Sequence, residues 1–141
     1  MKNEMKLIFS AQNNNVVFAR TVAIAFLVKL NLDVNVLNEI KTAISEAVTN
    51  SIVHGYLNDA TRKVEMDMMY DDKEIIIKVT DYGVGIEDID KAKEPLYSTK
   101  MSEDRAGLGF TIMEVFTDEL IVESIVGEKT IVTMKKKYYV Q

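Results

Sequence analysis

Met5, Leu7 and Phe9 alternate with Lys6, Ile8 and Ser10 at the start of the chain, a period of two that predicts a first strand with one more apolar face. Asn13 to Asn15 then offer capping side chains, and a helix is predicted from about Val16 to Leu30. It is apolar nearly all round, which suits burial on two sides or packing on a partner chain. A second helix follows. Val36, Leu37, Ile40, Ala43, Ile44, Ala47, Val48 and Ile52 fall at amphipathic spacing, with Asp33 or Asn35 as cap and Gly55 as the natural end. Within it Glu46, Asn50 and His54 repeat every four residues. Successive residues turn by roughly 100°, so these three form one row along the margin of the apolar stripe.

Beyond Gly55 the period changes. Val64, Met66 and Met68 alternate with Glu65, Asp67 and Met69, and Ile75 to Val79 is rich in β-branched residues, so the two runs read as a hairpin turning at Asp71-Asp72. The methionines read as core filler. Glu87 to Ala106 is polar, holds the only proline, Pro95, and reads as a short helix and then a loop. Apolar residues from Phe110 to Phe116 predict a helix, and Glu119 to Val126 with Lys129 to Tyr138 predict a second hairpin about Gly127-Glu128. No strict strand–helix alternation is present. The expected fold is α+β: a two-layer α/β sandwich with helices on one face of a mixed, mainly antiparallel sheet. Residues 1–141 read as a single domain, without repeat or linker.

Composition narrows the function. A net charge of −5 argues against nucleic acid or a membrane surface as the main partner, and Lys135 to Lys137 reads as a solvated strand end. There are no cysteines, which removes disulfides, thiolate metal sites and a Cys nucleophile. The longest apolar segment, Val16 to Val28, is interrupted by Arg20 and too short to span a bilayer. The N-terminus lacks a signal-peptide core, and a cytoplasmic protein is expected. Arg20 is either a snorkelling surface residue or a partner contact.

The candidate chemistry sits in three places. Glu46, Asn50 and His54 need partners at a core margin, where an unpaired polar group costs about 1–3 kcal/mol. Neighbours and water could satisfy them, or a ligand could. Asp81-Tyr82-Gly83-Val84-Gly85 follows a strand, where glycines allow a sharp turn and a ligand close to the backbone. An aspartate there can accept hydrogen bonds from the exocyclic amine of a flat base; a plain tight loop is the alternative. Gly107-Leu108-Gly109 opens a helix, whose free N–H groups suit a phosphate, with Arg105 just before it.

Taken in order, these pieces resemble the boxes of the GHKL superfamily, the ATP-binding domains of gyrase-type topoisomerases, Hsp90, sensor histidine kinases and mismatch-repair ATPases. The likeness covers nearly the whole chain. The runs Ile44 to Asn50, Pro95 to Lys100 and Gly109 to Glu114 look like those of the small stand-alone kinases of the anti-sigma class. The resemblance implies the Bergerat-type ATP-binding fold, ATP or ADP as ligand, and Mg²⁺ held by Asn50. It implies Glu46 as general base, Asp81 as reader of the adenine amine, Gly83 and Gly85 as pocket walls and Thr130 as support from the sheet. His54 is read as a structural or pocket-lining residue, a nucleotide contact in the second case. Residues from Pro95 to Ala106 form a lid, in which Ser98, Thr99, Lys100 and Arg105 join Gly107, Leu108 and Gly109 as nucleotide contacts. Arg105 replaces a glycine common in the family. It is read as a catalytic charge aimed at the terminal phosphate, the alternative being an exposed lid position.

The resemblance further implies partners. His54, the one histidine, lies on the Glu46/Asn50 helix, so a phosphoacceptor must come from another protein. For this class that is a serine of a small anti-anti-sigma antagonist. A sporulation sigma factor is the protein sequestered, and a homodimer through the first strand and first helix is expected. A nucleotide-gated binding module without phosphotransfer is the alternative function.

Overall fold

The computed structural model describes residues 2–94 and 109–138. Five strands form one sheet in the order β1-β2-β3-β5-β4: β1 (Asn3–Ser10), β2 (Lys63–Tyr70), β3 (Glu74–Asp81), β4 (Glu119–Ile125) and β5 (Lys129–Lys137). All the pairings in that order are antiparallel, and the helices lie on one face, so the expected α+β sandwich is the one observed. The helices are α1 (Asn15–Phe26), α2 (Val34–Asn50), a short α3 (Ile89–Ala92) and α4 (Gly109–Phe116).

The core follows from the period-two and helical patterns meeting. Ala19, Ala23 and Leu27 come from the α1 side, Ile40, Ala43, Ile44, Ala47 and Val48 from α2, and Met113 from α4. They close on Val64, Met66 and Met68 of β2, Ile75, Ile77 and Val79 of β3, and Val132 and Met134 of β5. Each fully buried aliphatic side chain contributes about 1.5–3 kcal/mol of transfer free energy. Helix α2 packs between α1 and α4 and so carries its polar margin into the centre of the helical layer.

Several boundaries differ from the sequence pattern. The first helix stops at Phe26 rather than Leu30. Leu27 bonds to both Ala23 and Ile24 carbonyls, a 3₁₀ turn follows over Val28–Leu30, and Asn31 adopts a left-handed φ of 50° that ends it. Only one side of α1 is buried, leaving Val17 and Phe18, with Val28 beyond them, exposed. The asparagines do not cap α1 with their side chains. Asn15 Nδ2 instead donates to the Ser10 carbonyl at 2.9 Å, tying the helix start to the end of β1. Asp33 does cap α2, accepting from Asn35 N at 2.7 Å. Arg20 Nη1 donates to Ser45 Oγ at 3.3 Å, so its guanidinium lies over α2. Lys136 is largely buried, its ammonium donating to the Phe116 carbonyl at 2.8 Å and pairing with Glu39 at 3.5 Å, which fastens the end of α4 to α2. Among the described residues no helix is long and apolar enough to cross a membrane.

Candidate functional site: a cleft between the second helix and the sheet

Helix α2 does not end in an ordinary way. After Asn50 the chain makes a π turn over Ser51–Gly55, closed by Tyr56 N donating to the Ser51 carbonyl at 2.9 Å. A π turn holds more residues than an α turn, and such turns recur at functional sites. Here it brings Ser51 and Gly55, with Asn50 and His54, onto the wall of one cleft of about 760 Å³. Asp81, Gly85, Gly109 and Thr130 line the same cleft, as do the apolar groups of Val84, Ile86, Phe110 and Val132. A second depression, of about 730 Å³, lies on the open face of the sheet and gathers none of the candidate residues.

One end of the cleft is built around Asp81. This carboxylate is only 3% exposed, and its Oδ1 accepts from Gly83 N at 3.1 Å. Burial pushes its pKa up to about 6, opposed by the hydrogen bonds from Gly83 and Ser51 and by the Arg62 charge. The space around it exists because two glycines meet there. A Cβ on Gly55 would stand 2.5 Å from Asp81 Oδ1, and one on Gly83 would stand 2.0 Å from the Gly55 carbonyl oxygen. The helical segment ends at Gly55 as the sequence predicts, but without a left-handed φ, so the missing side chain serves this close approach. Gly85 is the one that needs the freedom, with φ at +78°. Val84 N donates to the Gly55 carbonyl and Gly127 N to the Val84 carbonyl, which lock the loop between the π turn and the β4–β5 turn.

Thr130 pairs with Asp81 across β3 and β5. Ser124 Oγ donates to the Lys129 carbonyl and accepts from Ile86 N, so the 2.8 Å contact between the two hydroxyls is a donation from Thr130. That leaves the Thr130 oxygen as an acceptor on the cleft wall.

The other end is built from side chains of α2 and the head of α4. A Cβ on Gly109 would meet the Asn50 carboxamide at 3.1 Å and Glu46 Oε2 at 3.4 Å. Glu46 is 6% exposed and Asn50 half-buried, so the row predicted on the margin of α2 points at the start of α4. His54, further along the same row, lines the cleft. Ser98, Thr99, Lys100, Arg105, Gly107 and Leu108 lie outside the described residues.

These residues suit a nucleotide. A deep carboxylate and a free hydroxyl acceptor fit the donor edge of a base, and apolar walls fit its faces. Among the described residues no three acidic, His or Cys groups gather in the manner of a dedicated metal cage. Mg²⁺ does not require one: it is commonly held by one or two protein oxygens, phosphates and waters, which the Asn50 carboxamide fits.

Ser51, Gly55 and Ser124 escaped the sequence reading as site residues. Helical periodicity fails at the π turn, so Ser51 and Gly55 carry no signal beyond adjacency to Asn50 and His54. Ser124 acts only through strand pairing.

Fold and cleft together define an ATP-binding domain of the histidine kinase type. The family described as the histidine kinase-like ATPase domain matches residues 9–136. The anti-sigma F factor of Geobacillus stearothermophilus is 49% identical over 98% of this chain and 94% of its own length. That of Clostridium botulinum strain Eklund 17B is 44% identical over 97% of this chain and 96% of its own. A crystal structure of the RsbU and RsbW domains of a Mycobacterium tuberculosis protein superposes with a TM-score of 0.69 at 17% identity over 96% of this chain, which spans 32% of that longer one. The chain therefore belongs to the histidine kinase-like ATPases and, within them, to the anti-sigma F factor family.

Proposed function

We propose that the protein is an anti-sigma factor that sequesters a sigma factor of the sigma-F type and, as an ATP-dependent protein-serine kinase, inactivates the anti-anti-sigma antagonist by phosphorylating one of its serines. Residues 1–141 act as one ATP-binding kinase domain in the cytoplasm. The observation that carries this reading is the meeting of Glu46 and Asn50 at Gly109, with Asn50 and Gly109 on the wall of the cleft that also holds the buried Asp81.

Asp81 accepts from the adenine amine, with Thr130 beside it and Gly83 and Gly85 shaping the wall. Asn50 holds Mg²⁺, which when bound neutralises phosphate charge. Gly109 lets the phosphates approach the head of α4. Ser98, Thr99, Lys100, Arg105, Gly107 and Leu108 are proposed contacts through their place in the family's motifs, Arg105 toward the terminal phosphate. His54 is a wall residue. Glu46 orients the acceptor serine and takes its proton: the serine Oγ bonds to the γ-phosphorus, the bond to the β–γ bridging oxygen breaks, and ADP leaves. A binding-only module has no need of a buried carboxylate beside the metal ligand.

The proposed homodimer uses β1 and α1, a reading supported by the exposed Val17, Phe18 and Val28. A phosphotransfer assay tests the function. The protein, labelled Mg·ATP and a candidate antagonist are incubated, and the modified residue is found by mass spectrometry. Phosphoserine on the antagonist is expected. Binding of ATP without transfer would instead make the protein a nucleotide-gated binding module.

A further inference from the structure

The loop carrying Asp81 is held from behind by one short connection, the residues between the π turn and β2. Tyr56 is nearly buried, and its hydroxyl donates to the Lys63 carbonyl at 2.5 Å. Its one proton spent there, the oxygen accepts from Tyr82 N at 2.7 Å. Arg62 lies over the Tyr56 ring, 4.9 Å from its centroid, and its Nη2 donates to the Tyr82 carbonyl at 2.5 Å. Both backbone polar atoms of Tyr82 are thus gripped by side chains of one connection, its phenol donates to Glu65 of β2 at 3.1 Å, and the carbonyl of Gly55, the last residue of the π turn, takes Val84 N at 3.0 Å. The turn that presents Arg62 is itself fixed. Asp59 Oδ1 accepts from Thr61 N at 3.0 Å and from Thr61 Oγ1 at 2.6 Å, and the Asp59 carbonyl accepts from Arg62 N at 3.2 Å.

We propose that Tyr56 and Arg62 are positioning residues for base recognition: by clamping the N–H and C=O of Tyr82 they fix where the Asp81 carboxylate sits in the cleft. The proposal rests on Asp81 reading the base. Neither side chain lines the cleft, so they act through Asp81 and Gly83 and not on a ligand. The clamp also links two ends of the site, because the connection that grips the loop is the continuation of the helix bearing Glu46 and Asn50. An ordinary loop needs no such double grip. A loop that must hold a carboxylate in place against its own tendency to seek water gains from it, since a small displacement of one donor or acceptor loses a directional hydrogen bond.

Calorimetric titration of the intact protein with ADP and with GDP tests the idea. Tyr56→Phe keeps the ring and the stacked guanidinium but leaves Tyr82 N without its acceptor. It should weaken ADP roughly five- to tenfold, the scale of one lost hydrogen bond, and shrink the preference for ADP over GDP. Arg62→Ala should do the same to a smaller degree, and Arg62→Lys, which still donates and stacks, should recover part of the loss. Wild-type ADP affinity in Tyr56→Phe, or equal weakening of both nucleotides, would overturn the positioning role. Asp81→Asn belongs in the same series. If it keeps the full preference for ADP, the base-reading premise fails, and the proposal with it. If it loses the preference while Tyr56→Phe and Arg62→Ala keep it, the clamp alone is wrong.

Discussion

The two ends of the cleft are built by different means. At the Asp81 end the shape is set by backbone: two glycines in contact, a left-handed Gly85, a strand register that places Thr130 opposite Asp81, and loop hydrogen bonds in both directions. At the Glu46 end the shape is set by side chains, projected from α2 toward the first residue of α4. A backbone-built wall resists deformation and suits recognition, where a fixed pattern of donors and acceptors must be presented. Side chains of one helix facing a glycine at the head of another suit the proposed step, in which a proton and a phosphoryl group move. The proposed function accordingly puts recognition at one end and transfer at the other, and each proposal can be broken separately.

The largest effect is expected from Glu46→Gln. It preserves volume and removes the proposed base, so transfer to the proposed antagonist serine should slow by about 10²- to 10⁴-fold. Quench-flow measurement of phosphoserine formation reads it, and a wild-type rate would remove Glu46 from the chemistry.

Asp81 sharpens the contrast through pH. Its pKa is raised from 3.8 to about 6, chiefly by burial. Below about pH 4 folded and unfolded chains both carry the proton and nothing is lost. As pH rises through about 6 the folded chain must hold a buried charge that the unfolded chain solvates freely, at a cost of about 3 kcal/mol. Stability from denaturant titrations should thus fall between pH 4 and 7, and Asp81→Asn should abolish that fall. Affinity for ADP should move the other way, rising with pH through about 6, because only the ionised carboxylate offers every lone pair to the base. A stability profile for Asp81→Asn identical to that of the wild type would contradict the burial argument.

Gly83→Ala attacks the backbone-built wall directly. With its Cβ 2.0 Å from the Gly55 oxygen the loop must shift. About 1–3 kcal/mol of stability should be lost, with an ADP affinity lower on the order of 10-fold. Thermal unfolding and calorimetry read the two, and an unperturbed protein would show that the two loops separate at no cost.

Asn50→Ala should leave the metal-free affinity for ADP nearly unchanged while abolishing its enhancement by Mg²⁺. The loss should be at least on the order of 10-fold, the scale seen when even an outer partner of a metal ligand is removed. Titrations with and without Mg²⁺ in excess chelator measure it.

Much of this was legible in the sequence. Period two located β1, β2, β4 and β5, β-branched content located β3, and the apolar stripe of α2 placed Glu46 and Asn50 on its inner margin, where the structure has them. The series of boxes from Glu46 to Thr130 pointed to the family that the comparisons establish. What escaped were features with no periodic signature. The π turn breaks the helical count just where Ser51 and Gly55 enter the site. Gly55 reads as a helix stop, because nothing local shows that a carboxylate distant in sequence will press against it. The early end of α1 comes from a tightening into a 3₁₀ turn over Val28–Leu30, which leaves the apolar pattern of the helix unbroken. The grip of Tyr56 and Arg62 on Tyr82 joins residues that meet only once β2 and β3 pair.

The division of the cleft is tested most directly by one calorimetric comparison: Mg·ADP titrated into Asp81→Asn and into Glu46→Gln under the same conditions, at pH 8. The account predicts that Asp81→Asn loses affinity by roughly 10- to 100-fold, the scale of a lost hydrogen bond to a charged acceptor, while Glu46→Gln binds as the wild type does. Equal losses in the two variants, or a loss confined to Glu46→Gln, would contradict it.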